Sequence, residues 1–211
     1  ENELRAYLDN FNDCLEKSMH GAQTISKISI QTGTSHGGVP GPDGKVVDVS
    51  LDFKTLENLS RISRQDYGLA GAVQHGASTL PGSLFNKFPE LETAEIHLAT
   101  DFQNMIYDHE LFPKTLKEEI YTHLRKKFSS EKKVTDTDEQ FIYKTRKKGF
   151  GEFKSRFWDL SDEIKSEIGK DLESKVENLF TQLKVENTAE IAGKTITPVK
   201  IMPNLAHEVA A

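Results

Sequence analysis

One cysteine, Cys14, is all that the 211 residues contain, which excludes an internal disulfide and agrees with a reducing compartment. Cys14 falls inside a helical pattern, where a buried, space-filling role is expected. Long apolar runs are missing too. No stretch approaches the ~18 residues that cross a bilayer, and Glu1-Asn2-Glu3 is unlike a signal peptide, so no membrane partner and a cytoplasmic location are expected. Surplus positive charge is also absent. The net charge is -6, and the densest basic runs, Arg125-Lys126-Lys127 and Arg146-Lys147-Lys148, have acidic residues close by, which argues against nucleic acid. Finally, 211 residues fall short of the ~250 typical of a closed (β/α)8 barrel.

Hydrophobic residues at 36% and charged residues at 28% suffice for a buried core and do not demand disorder. Tyr7, Leu8, Phe11, Leu15 and Met19 recur at helical spacing and predict a helix over residues 2 to 20. Ile25, Ile28 and Ile30 then lead into Thr34-Ser35-His36-Gly37-Gly38, which reads as a strand ending in a glycine-rich loop. Pro40-Gly41-Pro42-Asp43-Gly44 is a dense turn signal, and Phe53, Leu56, Leu59 and Ile62 mark a second helix closed at Gly68. The cycle repeats. A short run from Leu69 to Gln74 ends at His75-Gly76-Ala77-Ser78, a short helix or turn follows over residues 81 to 90, and residues 94 to 99 form a third strand ending at Thr100-Asp101. Strand, loop and helix in series predict parallel strands with crossover helices. From Phe102 the chain reads as charged helix, with an exposed loop or insertion over residues 128 to 140. A long helix follows, capped by Ser161 and carrying Ile164, Ile168, Leu172, Val176, Leu179 and Leu183.

In such architectures ligands gather at the C-terminal ends of the strands. His36 and His75 both sit at that boundary, each followed by a glycine that removes the Cβ barring a metal or phosphate from the backbone. Imidazoles from different strands can converge on one Zn2+. A histidine that merely caps a strand through a backbone hydrogen bond is the plainer alternative.

Thr34-Ser35-His36-Gly37-Gly38-Val39, Val73-Gln74-His75-Gly76-Ala77-Ser78 and Ile96-His97-Leu98-Ala99-Thr100-Asp101 resemble, in order and spacing, the last three strand-end motifs of the class II, zinc-dependent ketose-bisphosphate aldolases. The resemblance runs from about Ile25 to Gln103 and more weakly beyond. It implies an α/β fold, the last three strands of a (β/α)8 TIM barrel over residues 1–110. A charged helical extension over 111–184 would pack on it, and 185–211 would form an irregular tail. It implies Zn2+ held by His36 and His75, and a monovalent cation (K+ or Na+) beside a substrate phosphate. Gly37, Gly76, Ser78 and Thr100 would cradle that phosphate through backbone N–H groups and hydroxyls. Arg146 matches in place an arginine for a second phosphate, although a solvated basic run explains it equally well. The implied chemistry is aldol cleavage or condensation through dihydroxyacetone phosphate and an aldehyde, in a homo-oligomer, with no lysine Schiff base.

Two departures stand out. His97 occupies a substrate-contacting catalytic position where the family has asparagine, and Ala99 follows the tagatose-bisphosphate branch rather than the fructose-bisphosphate one. The family's proton-transferring aspartate, its third zinc histidine and a further catalytic acid have no counterpart here, and His20 ends a helix too early to serve. The chain, which begins with Glu, therefore reads as the C-terminal half of a longer aldolase, inactive alone. The competing readings are a non-catalytic sugar-phosphate binder and, less favoured because Asp101 is the only acid at these strand ends, another metal-dependent barrel enzyme such as a hydrolase.

Overall fold

The computed structural model describes residues 1–34, 38–47, 51–200 and 202; His36 and Gly37 lie outside them. The architecture is mixed α/β and mostly helical around a small sheet. Helix α1 (Asn2–Ser18) precedes strand β1 (Ile28–Ile30), and a two-stranded antiparallel ribbon, β2 (Val39–Pro40) with β3 (Val46–Val47), follows. Helix α2 (Phe53–Gln65) leads to β4 (Ala72–Gln74), and α3 (Lys87–Glu90) to β5 (Glu95–Ile96). Strands β1, β4 and β5 are parallel and lie in chain order, with Ile30 beside Gln74 and Gln74 beside Ile96. Parallel neighbours need a crossover between them, and α2 and α3 supply the two helical turnbacks.

Local chemistry sets α2. The Asp52 carboxylate accepts the Thr55 N–H at 3.0 Å, capping the first turn; Leu56, Ser60 and Ser63 are buried at spacings of four and three, and Ile62 is buried in a separate cluster with Leu4 and Leu8. The Ser60 hydroxyl donates to Glu92 O at 2.9 Å and accepts the Ala72 N–H at 3.2 Å, fastening α2 to the start of β4. Side chains alternate along a strand, so Ile30, Ala72 and Ile96 face an apolar cluster with Leu56, Phe85 and Phe88. Ser29, Val73 and Glu95, in register, share the opposite face.

The remaining helices are α4 (Thr100–Asp108), α5 (Lys114–Lys127), α6 (Asp138–Thr145), α7 (Gly149–Glu152), α8 (Lys154–Trp158), α9 (Asp162–Gln182) and α10 (Ala189–Thr195). Tyr107, Phe112, Ile120, Phe141 and Ile168 form a second core among them. Ser161 caps α9 as expected, accepting the Ile164 N–H at 3.4 Å. At 21 residues, and so roughly 30 Å long, α9 brings Ile168 to the helical core and Leu179 to the sheet core.

Several expectations are corrected. Cys14 is exposed rather than buried, because α1 sinks only Leu4 and Leu8 into the body and leaves Tyr7 and Met19 mostly in solvent. The third strand keeps only two ladder residues, Glu95 and Ile96, before the chain turns into α4. Residues 129 to 135 are exposed as expected, but the end of the 128 to 140 stretch is held in place. Thr137 forms a capping box with Gln140, and their side chains donate to Pro42 O at 2.8 Å and Pro40 O at 2.9 Å, docking this segment on the proline-rich turn. The tail contains α10, in which the Ile196 N–H is the last to bond back, to Ala192 O at 2.8 Å. No helix among the described residues is long and apolar enough to cross a membrane.

Candidate functional site

The C-terminal ends of β4 and β5 stand side by side, and the ladder continues one step past them through His97 N–H to Gln74 O at 2.9 Å. That bond brings the residues following each strand together. The imidazoles of His75, half-buried, and His97, exposed, are in contact, with ring centroids 4.2 Å apart and planes tilted by 53°. His97 Nε2 meets the Glu95 carboxylate, whose other oxygen pairs with Lys27. Lys27 first and His97 second hold the Glu95 carboxyl below its ordinary range.

Beneath His75, Gln74 is fully buried and ties two strand ends together. Its Oε1 accepts the Thr32 hydroxyl at 2.8 Å, its Nε2 donates to Thr34 Oγ1 at 3.1 Å, and Thr34 in turn donates to His75 O at 2.8 Å. Gly76 then takes a left-handed conformation, φ 71°, which lets the chain reverse into a short 3-10 turn at Ala77–Thr79. The buried Ser78 hydroxyl accepts the Ala99 N–H at 2.8 Å, holding that turn against the start of α4.

A cleft of about 340 Å³ opens there, lined by His75, Gly76, Ser78, His97, Thr100 and Lys147 among others. A smaller cavity of about 150 Å³ adjoins it, sharing Thr100, Gln103 and Lys147 and adding Gly38, Tyr143 and Arg146. Four of the eight candidate site residues (His75, Gly76, Ser78 and Thr100) thus share one cleft with His97, Arg146 lines its neighbour, and His36 and Gly37 lie outside the described residues.

Ala99 gives α4 no side-chain cap, and the first intrahelical bond of this helix runs from Gln103 N–H to Ala99 O. The N–H groups of Thr100, Asp101 and Phe102 therefore have no acceptor within the helix, and the dipole there favours an anion. Arg146 is already engaged. Its guanidinium grips Asp108 with two bonds, at 2.8 and 2.9 Å, donates to Asn104 Oδ1 at 2.6 Å and lies over the Tyr107 and Tyr143 rings. Burial opposes charge on both partners, yet their pairing wins: Arg146 is held above and Asp108 below its ordinary value.

Lys147, exposed and forming no ion pair among the described residues, faces both cavities. The sequence could not single it out, because a run of three basic residues does not say which one turns inward. Glu95 was more legible, standing two residues before His97 and so on the same strand face.

Zinc in a protein takes imidazole, thiolate or carboxylate donors. His75 and His97 fit it in kind and supply two imidazoles; no group of three or more His, Cys, Asp or Glu among the described residues could hold a metal ion. Compared with protein-family models, with curated proteins and with solved structures, the chain matches none.

Proposed function

We propose that this cleft is the metal- and phosphate-binding part of a zinc-dependent ketose-bisphosphate aldolase site, carried on an arc of a (β/α)8 barrel. The observation that carries the reading is the convergence of His75, Gly76, Ser78 and the N-terminus of α4 on one cleft at the ends of consecutive parallel strands. Zinc, held by His75 with the His36 that the sequence pairs with it, would supply Lewis-acid polarisation of the substrate ketone.

The chain's own residues do the rest. The N–H groups of the first turn of α4, which have no acceptor within the helix, bind phosphate oxygens, and Lys147 adds positive charge. Ser78, having accepted from Ala99, still has its hydroxyl proton to donate. Gln74, Thr32 and Thr34 position the His75 backbone. Among the described residues no carboxylate lines the cleft, so the chain by itself is expected to bind and not to cleave.

The test is to titrate the zinc-supplemented chain with dihydroxyacetone phosphate and with dihydroxyacetone by calorimetry. The phosphate ester should bind far more tightly, and chelating the zinc should weaken it. Equal affinities, or indifference to zinc, would remove the reading. The capture of Arg146 by Asp108 favours a second reading, a non-catalytic binder of sugar monophosphates. For that reading zinc should make no difference while the preference for phosphate persists.

A further inference from the structure

We propose that His97 is a metal ligand, and that its imidazole and that of His75 hold one transition-metal ion between the ends of β4 and β5. This rests on the reading of His75 as a ligand and adds to it a residue where the resembled family has an amide.

Three observations carry it. First, the two rings touch, with centroids 4.2 Å apart, although 22 residues of chain separate them, so imidazoles from two neighbouring strand ends already share one place. Second, His97 has the carboxylate partner that a ligating histidine takes on its other nitrogen. A metal-bound histidine almost always donates its second ring N–H to a carboxylate, carbonyl or water, which fixes the tautomer and raises ligand basicity. Here the Glu95 carboxylate, which can only accept, meets Nε2, so Nε2 is the donor nitrogen and Nδ1 is the one left to face a metal. Third, Glu95 is itself held, since Lys27 occupies its other oxygen. The carboxylate is therefore committed to steering the imidazole.

An asparagine at position 97 would offer a metal only a weak amide oxygen. The ion would be soft enough to prefer imidazole, which means Zn2+, Ni2+ or Co2+ rather than Mg2+ or Ca2+. Two imidazoles leave coordination positions for water or for substrate oxygens.

The experiment uses the whole chain, labelled with 15N, and records long-range 1H–15N spectra of the histidine rings during a Zn2+ titration, with His97→Asn and His75→Ala to assign the signals. Zinc is expected to shift the ring nitrogens of both His75 and His97 in one saturable step, with the His97 Nε2 proton retained. His97→Asn should weaken zinc at least about tenfold, and Glu95→Gln, which removes only the steering group, should weaken it by about the same factor. If zinc moves His75 alone and His97→Asn leaves the affinity unchanged, this inference fails and the His75 reading stands. If zinc moves neither ring, both fail. The spectra of the unsubstituted chain decide the matter even where a variant does not fold.

Discussion

Arg146 and Asp108 are joined by a two-toothed ion pair, Nη1 to Oδ1 at 2.8 Å and Nη2 to Oδ2 at 2.9 Å. The arginine is buried and the aspartate is half exposed, so the two ends of the pair are not equivalent. Removing the carboxylate strands a buried cation, whereas solvent softens the loss of the aspartate itself. Asp108→Asn should therefore cost about 1–2 kcal/mol, toward the lower end for hydrogen bonds to charged groups. Burial raises the Asp108 carboxyl but Arg146 lowers it further, so its folded pKa lies below the unfolded value of about 3.9. Its contribution is complete above the unfolded value and disappears as pH falls through the folded one. Urea unfolding should show the gap between the wild-type chain and Asp108→Asn at pH 6, and the gap should close in strong acid. A gap unchanged by acid would mean that the ion pair is not its source.

Gln74 invites a different test. Its amide is fully buried and serves Thr32 and Thr34 at the end of β1, so Gln74→Leu keeps the volume and leaves both hydroxyls without that partner. Each buried polar group deprived of its partner costs roughly 1–3 kcal/mol. Thermal unfolding should register that loss. Hydrogen exchange at residues 75 to 78 should also quicken, because Thr34 holds the His75 carbonyl. A stable variant with unchanged exchange would show that the amide network does not position the site.

Much of this arrangement could be read from the sequence, and the limits have physical causes. Short runs closed by His75-Gly76 and by His97 through Asp101 announce strands with polar C-terminal ends, and the parallel order follows from the helices between them. The α9 cap at Ser161 was legible because capping is local chemistry. What was not legible depends on contacts distant in sequence. Nothing near Arg146 says that Asp108, 38 residues away, will take its guanidinium, and nothing near Glu95 announces Lys27. Cys14 was misplaced for a related reason: helical periodicity says which residues share a face, not how far along the helix that face stays covered.

Gly149 and Gly151 predict opposite outcomes two residues apart. A Cβ on Gly149 would stand 2.5 Å from Tyr107 Oη and 2.7 Å from Ile120 Cγ2, and Tyr107 cannot yield because it is fully buried and donates to Arg146 O at 2.9 Å. Alanine gains up to about 1 kcal/mol over glycine within a helix, but overpacking a core costs about 1–3 kcal/mol. The steric effect should win, so Gly149→Ala is destabilising. A Cβ on Gly151 would meet nothing within 4 Å, so Gly151→Ala should raise the melting temperature slightly. Both shifts can be read in one thermal-unfolding series, and a stabilised Gly149→Ala would refute the packing described around Tyr107.

The phosphate site is best probed at Lys147, because Gly76 sits at φ 71° and any side chain there would strain the backbone as well as block the cleft. Lys147 and Lys148 are adjacent in the same basic run but are placed differently. Lys147 lines both cavities, whereas Lys148 pairs with Glu131 and lies over the Phe128 ring at 4.3 Å. If the cleft binds phosphate, Lys147→Ala should weaken dihydroxyacetone phosphate by about tenfold at low ionic strength, as expected for a cation near a dianion at the protein surface. The loss should shrink as salt rises, because screening acts over about 10 Å at 0.1 M. Unphosphorylated dihydroxyacetone should be indifferent to the substitution, and Lys148→Ala should leave the phosphate ester unaffected while lowering stability a little. Titrations of the two ligands against the two variants at low and moderate salt separate these outcomes. Equal effects of Lys147→Ala and Lys148→Ala would reduce the interaction to general surface charge, and the assignment of the cleft to phosphate would be lost.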